Sequence, residues 1–287
     1  MKVTDLKDKK IQKLVSILKS FDSLAVAFSA GVDSTFLLKA AHDILGDQCL
    51  ALTACAAFQP GRERQEVQDF CEKAGIRSMV FWIDEETIPH FSENPQNRCY
   101  YCKHALFRKM KSLAASQGIS RLAEGSNTDD LSDYRPGMQA IKELGVLSPL
   151  RDAGLSKEEI RSFSRQLNLP SWDKPSMACL ASRIPYGQTI TKEKLRKIEK
   201  AEAVLADLGL RQYRVRLHED MARIEVMPSD FPKLILEENR MRILTVFQKL
   251  GFSYIAMDLK GFRSGSMNEA MKSPERDEEF FPDKNNK

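Results

Sequence analysis

Short apolar runs recur along the first ~170 positions, each bounded by polar or glycine-containing turns and followed by a stretch with helical spacing. Leu24–Phe28, Leu50–Ala54, Met79–Ile83 and Arg121–Glu124 predict buried strands. Ser34–Leu45, Arg62–Ala74, Tyr101–Ser116 and Ser156–Leu167 predict helices, and residues 1–20 carry a charged, amphipathic helical pattern. Ser156 with Glu159 three positions on is a capping box that sets the start of its helix. Strand–helix alternation of this kind implies an α/β fold, a parallel sheet covered on both faces. Such sheets take ligands at the carboxyl ends of their strands.

After residue 170 the pattern changes. Residues 173–188 are rich in Pro, Ser and Gly, show no period, and read as a loop crossing between domains. Lys192–Leu208 predicts a long helix. Arg211–Leu217 and Met221–Val226 predict alternating strands around the turn His218-Glu219-Asp220, followed by a helix at Glu238–Leu250 and a strand at Tyr254–Leu259. The expected organisation is a sheet domain over 1–170, a smaller α+β domain over 171–270 that includes the loop, and a loose charged tail over 271–287.

Composition narrows the class. Of 287 residues 42% are hydrophobic and 29% charged, as in ordinary soluble globular chains. No run approaches the ~18 apolar residues of a membrane helix. The six cysteines fit no short secreted disulfide framework, which points to a reducing cytoplasm. A net charge of +4 is too small to argue for nucleic acid, and suits simple solubility or a phosphorylated small substrate equally well.

The most informative segment runs from the first strand directly into Ser29-Ala30-Gly31-Val32-Asp33-Ser34 and then into a helix. Small residues let the backbone approach a phosphate, and the N–H groups of a helix start supply donors and a favourable dipole. Ser29 and Ser34 add hydroxyls, and Asp33 can hold a cation that bridges phosphates. No Lys follows the glycine as in a Walker A loop. The segment resembles instead the SGGxDS loop of the PP-loop ATPases, which cleave ATP between the α- and β-phosphates. Ala30 stands where that loop usually has Gly. If the position needs φ > 0, alanine costs ~1 kcal/mol. The competing reading is a plain serine-capped strand–helix turn.

Cys99 and Cys102 form a CxxC pair at the start of a predicted helix, with Arg98 and Lys103 beside them to lower the thiol pKa values. Cys179, on the loop after 173, is a third thiol. Three thiolates suit a [4Fe–4S] cluster with one iron left open. Zinc held by these three with His104, a CxxC redox pair, and a lone nucleophilic Cys179 all stay open on the residues alone. Cys49, Cys55 and Cys71 fall in strand or helix patterns and read as buried apolar residues.

Across about residues 20–270 the chain resembles the LarE-type PP-loop sulfurtransferases. The resemblance lies in SAGVDS (29–34), GSNTDDLSDYRPGMQA (125–140), CLASRIPYG (179–187), RVRLHEDMARIEV (214–226) and GFRSGSMN (261–268). It implies adenylation of pyridinium-3,5-biscarboxylic acid mononucleotide by ATP and Mg²⁺, loss of pyrophosphate, and displacement of AMP by sulfur from sulfide or another donor. The CxxC places the chain in the branch whose three cysteines hold the cluster, rather than the branch that sacrifices a cysteine. Ser29 through Ser34, Gly125 and Asp129 would then bind ATP or its Mg²⁺. Arg183 would steady the acyl-adenylate beside Cys179, and Asp130, Asp133 and Arg135 follow the same strand end. Arg214 and Arg216, alternating on one strand face, and Arg263, in a glycine-flanked loop, are candidates for the substrate phosphate. Glu202 and Glu225 match positions that bind a divalent ion in the family. A homo-oligomer is expected. Rival readings are a cluster-dependent tRNA thiolase, which would be more basic, an ammonia-dependent amidating synthetase, which needs no CxxC, and an ATP- or zinc-binding protein without turnover.

Overall fold

The computed structural model describes residues 1–59, 62–132, 136–175, 178–263 and 266. The expected tail at 271–287, and with it Asp133 and Arg135, lies outside the described residues. The chain divides into two compact units, residues 1–199 and 200–287.

In the first unit the elements follow in the order α1 (Lys9–Lys19), β1 (Leu24–Ala27), α2 (Val32–Leu45), β2 (Cys49–Cys55), α3 (Arg62–Ala74), β3 (Arg77–Trp82), α4 (Arg98–Ser116), β4 (Leu122–Ala123), α5 (Pro136–Glu143), α6 (Pro149–Ala153) and α7 (Lys157–Gln166). The division falls inside a further helix, α8 (Lys192–Asp207). The strands pair in parallel in the order β3-β2-β1-β4, and Leu147 bridges in parallel to the outer side of β4 at Ala123. The alternation of strands and helices therefore builds the expected α/β sheet.

Period-two alternation assigns the two faces. Leu24, Val26 and Ala51 pack with Leu14, Leu37, Leu38 and Ile160 on one side. Ala25, Leu50 and Leu52 pack with Phe107, Met110 and Ile141 on the other. The third strand departs from expectation. It is an edge strand, with Val80 51% and Trp82 66% exposed, because only β2 flanks it.

The expected domain boundary at 170 also differs from the observed division. The segment after 173 hydrogen-bonds into the first unit: Leu180 N to Phe58 O at 2.9 Å, Gly187 N to Asn94 O at 2.9 Å and Ile190 N to Ser92 O at 2.9 Å. Its described residues include a 3₁₀ turn at Leu180–Arg183.

The second unit contains β5 (Tyr213–His218), β6 (Met221–Val226), α9 (Phe231–Ile235), α10 (Glu237–Lys249) and β7 (Tyr254–Met257). Strand β6 is central, antiparallel to β5 and parallel to β7. His218 pairs with Met221 across a two-residue turn in which Glu219 takes φ 55°. This is the hairpin expected from the sequence.

Candidate functional site

The sheet order reverses direction at β1, whose neighbours β2 and β4 lie on opposite sides, and this is the switch point where such sheets bind ligands. The loop 28–31 leaves β1 there and enters α2. Gly31 is the N-cap and offers no side chain to the first-turn N–H groups, which have no carbonyl partner within a helix. Ala30 has φ 53°, so the left-handed conformation considered for this position is present, at ~1 kcal/mol for alanine. The Ser29 and Ser34 hydroxyls lie 3.1 Å apart, and that of Ser34 donates to Gly31 O at 3.2 Å.

Asp33 sits among groups from two other segments. Asn127 Nδ2 donates to its Oδ1 at 3.2 Å, and Lys157 Nζ donates to its Oδ2. Asn127 Oδ1 accepts from Asp129 N at 2.9 Å, and Asp129 Oδ2 accepts from Lys157 N at 3.1 Å. Asp130 Oδ2 accepts from Asn127 N at 3.0 Å. A cavity of about 610 Å³ opens here, lined by Ser29, Gly31, Asp33, Ser34, Gly125 and Asp129 among others. Six of the eight residues expected around ATP thus share one cavity. Ala30 and Val32 pack in the core, 6% and 3% exposed, with Val32 also bordering a second cavity.

A second cavity of about 380 Å³ is lined by Cys99, Cys102 and Cys179 together. Helix α4 begins at Arg98, a turn earlier than expected, so both CxxC thiols are helical and their three-residue spacing puts them on one face. The loop of Cys179 is tied to them by Asn94 and Arg98. Asn94, fully buried with φ 55°, donates to Pro185 O at 2.7 Å and accepts from the Arg98 guanidinium. Arg98, also buried, donates to Ala181 O at 3.2 Å. Lys174 lines the same cavity and donates to Ala30 O at 3.3 Å. The two cavities share Ser29, Gly31, Asp33, Gln59, Lys103, Leu106 and Lys157.

Three expectations change here. The thiol pKa of Cys102 is raised rather than lowered: burial drives it up, as it does that of Cys179, and Arg98 only partly opposes it. Arg183 is fully buried and donates to Ala178 O at 2.6 Å and Cys179 O at 3.0 Å, so it holds the shape of the Cys179 loop. His104 lines a different cavity, with Trp82, His90 and Tyr101, because α4 turns it away from the thiols. Among the described residues no group of three His, Cys, Asp or Glu is arranged to hold a single metal ion. Cys49, Cys55 and Cys71 are buried as expected.

In the second unit Arg214 and Arg216 are 4% and 5% exposed, so their strand face is not solvated. Arg214 lies 5.0 Å from the Phe262 ring centroid. Arg216 pairs with the fully buried Glu225 at 2.8 Å, Arg223 reaches the same carboxylate at 3.1 Å, and Ser266 Oγ donates to it. Arg263 donates to Gly261 O at 2.9 Å and lies 3.4 Å from Asp258. Glu202 accepts from Val215 N at 3.0 Å. The contacts described for Glu202 and Glu225 are to backbone, arginine and hydroxyl donors. The residues missed by sequence reasoning are Asn94, Asn127 and Lys157. Asn94-Pro95 carried a turn signal; a surface-like lysine at a helix start carried none.

No family model matches the chain. Individual proteins do. It is 39% identical to an uncharacterised protein of Synechocystis sp., over 92% of this chain and 98% of the relative. An uncharacterised protein of Methanocaldococcus jannaschii is 27% identical over 89% of this chain and 98% of its own. The pyridinium-3,5-bisthiocarboxylic acid mononucleotide synthase of Lactiplantibacillus plantarum is 34% identical over 90% of this chain and 93% of its own, and the chain accordingly belongs to the LarE family of that synthase.

Proposed function

We propose that this protein is an ATP-dependent sulfurtransferase that adenylates a carboxylate of pyridinium-3,5-biscarboxylic acid mononucleotide, releases pyrophosphate, and exchanges AMP for sulfur in nickel-pincer cofactor synthesis. The observation that carries this reading is the pair of adjoining cavities: a phosphate loop lines one, three cysteines line the other, and Asp33, Lys103 and Lys157 border both. Membership of the LarE family supports the substrate.

A carboxylate is a poor acyl donor, and adenylation gives it a good leaving group. In this reading the loop N–H groups, with Ser29 and Ser34, cradle the phosphates, and Asp33 and Asp129 hold Mg²⁺. The substrate carboxylate attacks the α-phosphorus, the bond from that phosphorus to the bridging oxygen breaks, and pyrophosphate departs with its electron pair. Sulfur then attacks the acyl carbon, the acyl C–O bond breaks, and AMP leaves with the electron pair. Arg214, Arg216 and Arg263 are the proposed phosphate-reading residues of the second unit.

The donor chemistry fits a cluster better than zinc. A single ion needs every ligand within ~2.3 Å of one point, whereas each thiolate of a [4Fe–4S] centre meets its own iron. Cys99, Cys102 and Cys179 would hold that cluster, which when bound supplies a sulfur atom for transfer. Burial that disfavours the free thiolate is offset by binding to metal. The free thiols of all six cysteines suit a reducing compartment.

The test is direct. Asp33→Ala or Ser34→Ala should abolish AMP and pyrophosphate formation in a folded protein; near-wild-type adenylation in either, or ADP as product, overturns the ATP assignment. Anaerobic protein should carry about four irons per chain. Replacing any of the three cysteines should remove iron and sulfur transfer but spare adenylation. Loss of H₂S mass at Cys179, or zinc without iron, would defeat the cluster reading.

A further inference from the structure

The structure assigns Arg98 the role of counter-charge to the three-thiol centre: its buried guanidinium balances the negative charge that Cys99, Cys102 and Cys179 bring as thiolates. This rests on the cluster reading above and adds a residue to it.

Arg98 is the first residue of α4, directly before Cys99, and it lines the cavity of the three thiols. It is only 3% exposed. Its guanidinium donates to the Asn94 side-chain oxygen and to Ala181 O at 3.2 Å, and lies 5.7 Å from the Tyr186 ring centroid. All three partners are neutral. Among the described residues no carboxylate pairs with Arg98. The other cations of this cavity are placed differently. Lys157 is held by Asp33 and Lys174 by Glu66, while Lys103 is only half-buried.

A buried charge with no opposite charge is costly, and natural proteins retain one where something compensates it. Local structure does not need the charge. A cation at the start of α4 opposes the helix dipole, and a neutral donor would serve Asn94 and Ala181 as well. The cavity explains it. Three thiolates outweigh the positive charge of a cluster core, so the loaded centre is an anion whose properties depend on nearby charge. The guanidinium already acts on these sulfurs, as the strongest influence that opposes burial at the thiols of Cys102 and Cys179. One side chain thus ties the Cys179 loop to α4 and balances the centre that both carry.

The experiment compares anaerobic wild type with Arg98→Gln, which keeps a donor without the charge, and Arg98→Lys, which keeps the charge. Reducing the bound cluster adds one negative charge, and a cation beside it favours that state. In a redox titration followed by electron paramagnetic resonance, the reduced-to-oxidised ratio at a fixed potential should fall about tenfold in Arg98→Gln, which is 59 mV for a one-electron couple. Arg98→Lys should titrate near wild type. Iron should be lost to a chelator faster from Arg98→Gln than from Arg98→Lys.

A merely structural arginine would lose cluster without moving the potential of what remains. An unchanged potential in Arg98→Gln, or an equal shift in both variants, overturns the proposal. If Arg98→Gln holds no cluster, Arg98→Lys decides: a loaded lysine protein with the wild-type potential supports the counter-charge, and equal loss of cluster in both variants overturns it. Wild-type protein that takes up no iron fails the cluster reading itself. Iron in the wild type with an unmoved potential in Arg98→Gln fails only this inference.

Discussion

Gly125, just beyond β4, should be the least replaceable glycine of the nucleotide site. A Cβ at this position would lie 3.0 Å from Ser34 N, 3.2 Å from Asp33 C and 3.2 Å from Asp33 Cβ. All three atoms belong to, or are rigidly attached to, the backbone of the first turn of α2. Relief therefore requires the end of β4 and the phosphate loop to separate by a few tenths of an ångström. Overpacking of this kind costs ~1–3 kcal/mol. In a unit of this size each kcal/mol lowers Tm by roughly 2–4 °C, so Gly125→Ala should melt about 2–12 °C lower. The same shift carries Asp33 and the Ser34 N–H away from the nucleotide, and ATP affinity should weaken about tenfold, the loss of one charge-assisted contact. Gly31→Ala is the control for the melting measurement alone, since Gly31 itself lines the phosphate cavity. Its Cβ would meet Ser29 Oγ at 3.4 Å, an ordinary contact, and the N-cap preference costs at most ~1 kcal/mol. Calorimetric melting and titration with a non-hydrolysable ATP analogue measure both. A Gly125→Ala protein that melts within 1 °C of wild type and binds the analogue equally well would refute the steric argument.

Three other outcomes follow from particular side chains. Burial raises the thiol of Cys49 to about 12 and that of Cys71 to about 11, whereas Cys99 is exposed. Iodoacetamide at mildly alkaline pH should therefore mark Cys99 well before either, as peptide mass mapping would reveal. Glu225→Gln removes the buried carboxylate that Arg216 and Arg223 share, Arg223 keeping Asp258 at 3.0 Å, and should cost ~3–5 kcal/mol in denaturant unfolding. A small cost with lost substrate affinity would instead support the divalent-ion role. Burial, with Arg223 and Arg216 nearby, lowers the pKa of His218 below the usual imidazole value. The unfolded chain takes up a proton near pH 6.5 where the folded one does not, so stability should fall as pH drops through that value. His218→Gln should flatten this slope between pH 7.5 and 5.5.

The sheet and its phosphate loop were legible because local pattern dictates them. Leu24–Ala27 is an apolar run, Ser29–Ser34 is small and polar, and α2 starts where the helical period does. The hairpin around Glu219 was legible for the same reason. What local pattern cannot contain are the bonds that span the chain. Cys179 reaches the CxxC pair through Asn94 and Arg98, whose partners lie more than eighty positions away. Lys157 meets Asp33 across a separation of 124 residues. Electrostatic environment was equally hidden. Arg98 and Lys103 beside two thiols suggested thiolates, yet desolvation outweighs both cations at Cys102. Two arginines alternating on one strand suggested phosphate ligands, and nothing in that pattern showed that Arg216 lies buried against Glu225.

The central claim is that a substrate carboxylate attacks the α-phosphorus of ATP. It is tested by a single isotope experiment with substrate whose carboxylates carry ¹⁸O. Adenylation followed by sulfur transfer leaves one of those oxygens on AMP, so the AMP formed in one turnover should be two mass units heavier. Unlabelled AMP, or label found in phosphate or pyrophosphate, would contradict the account.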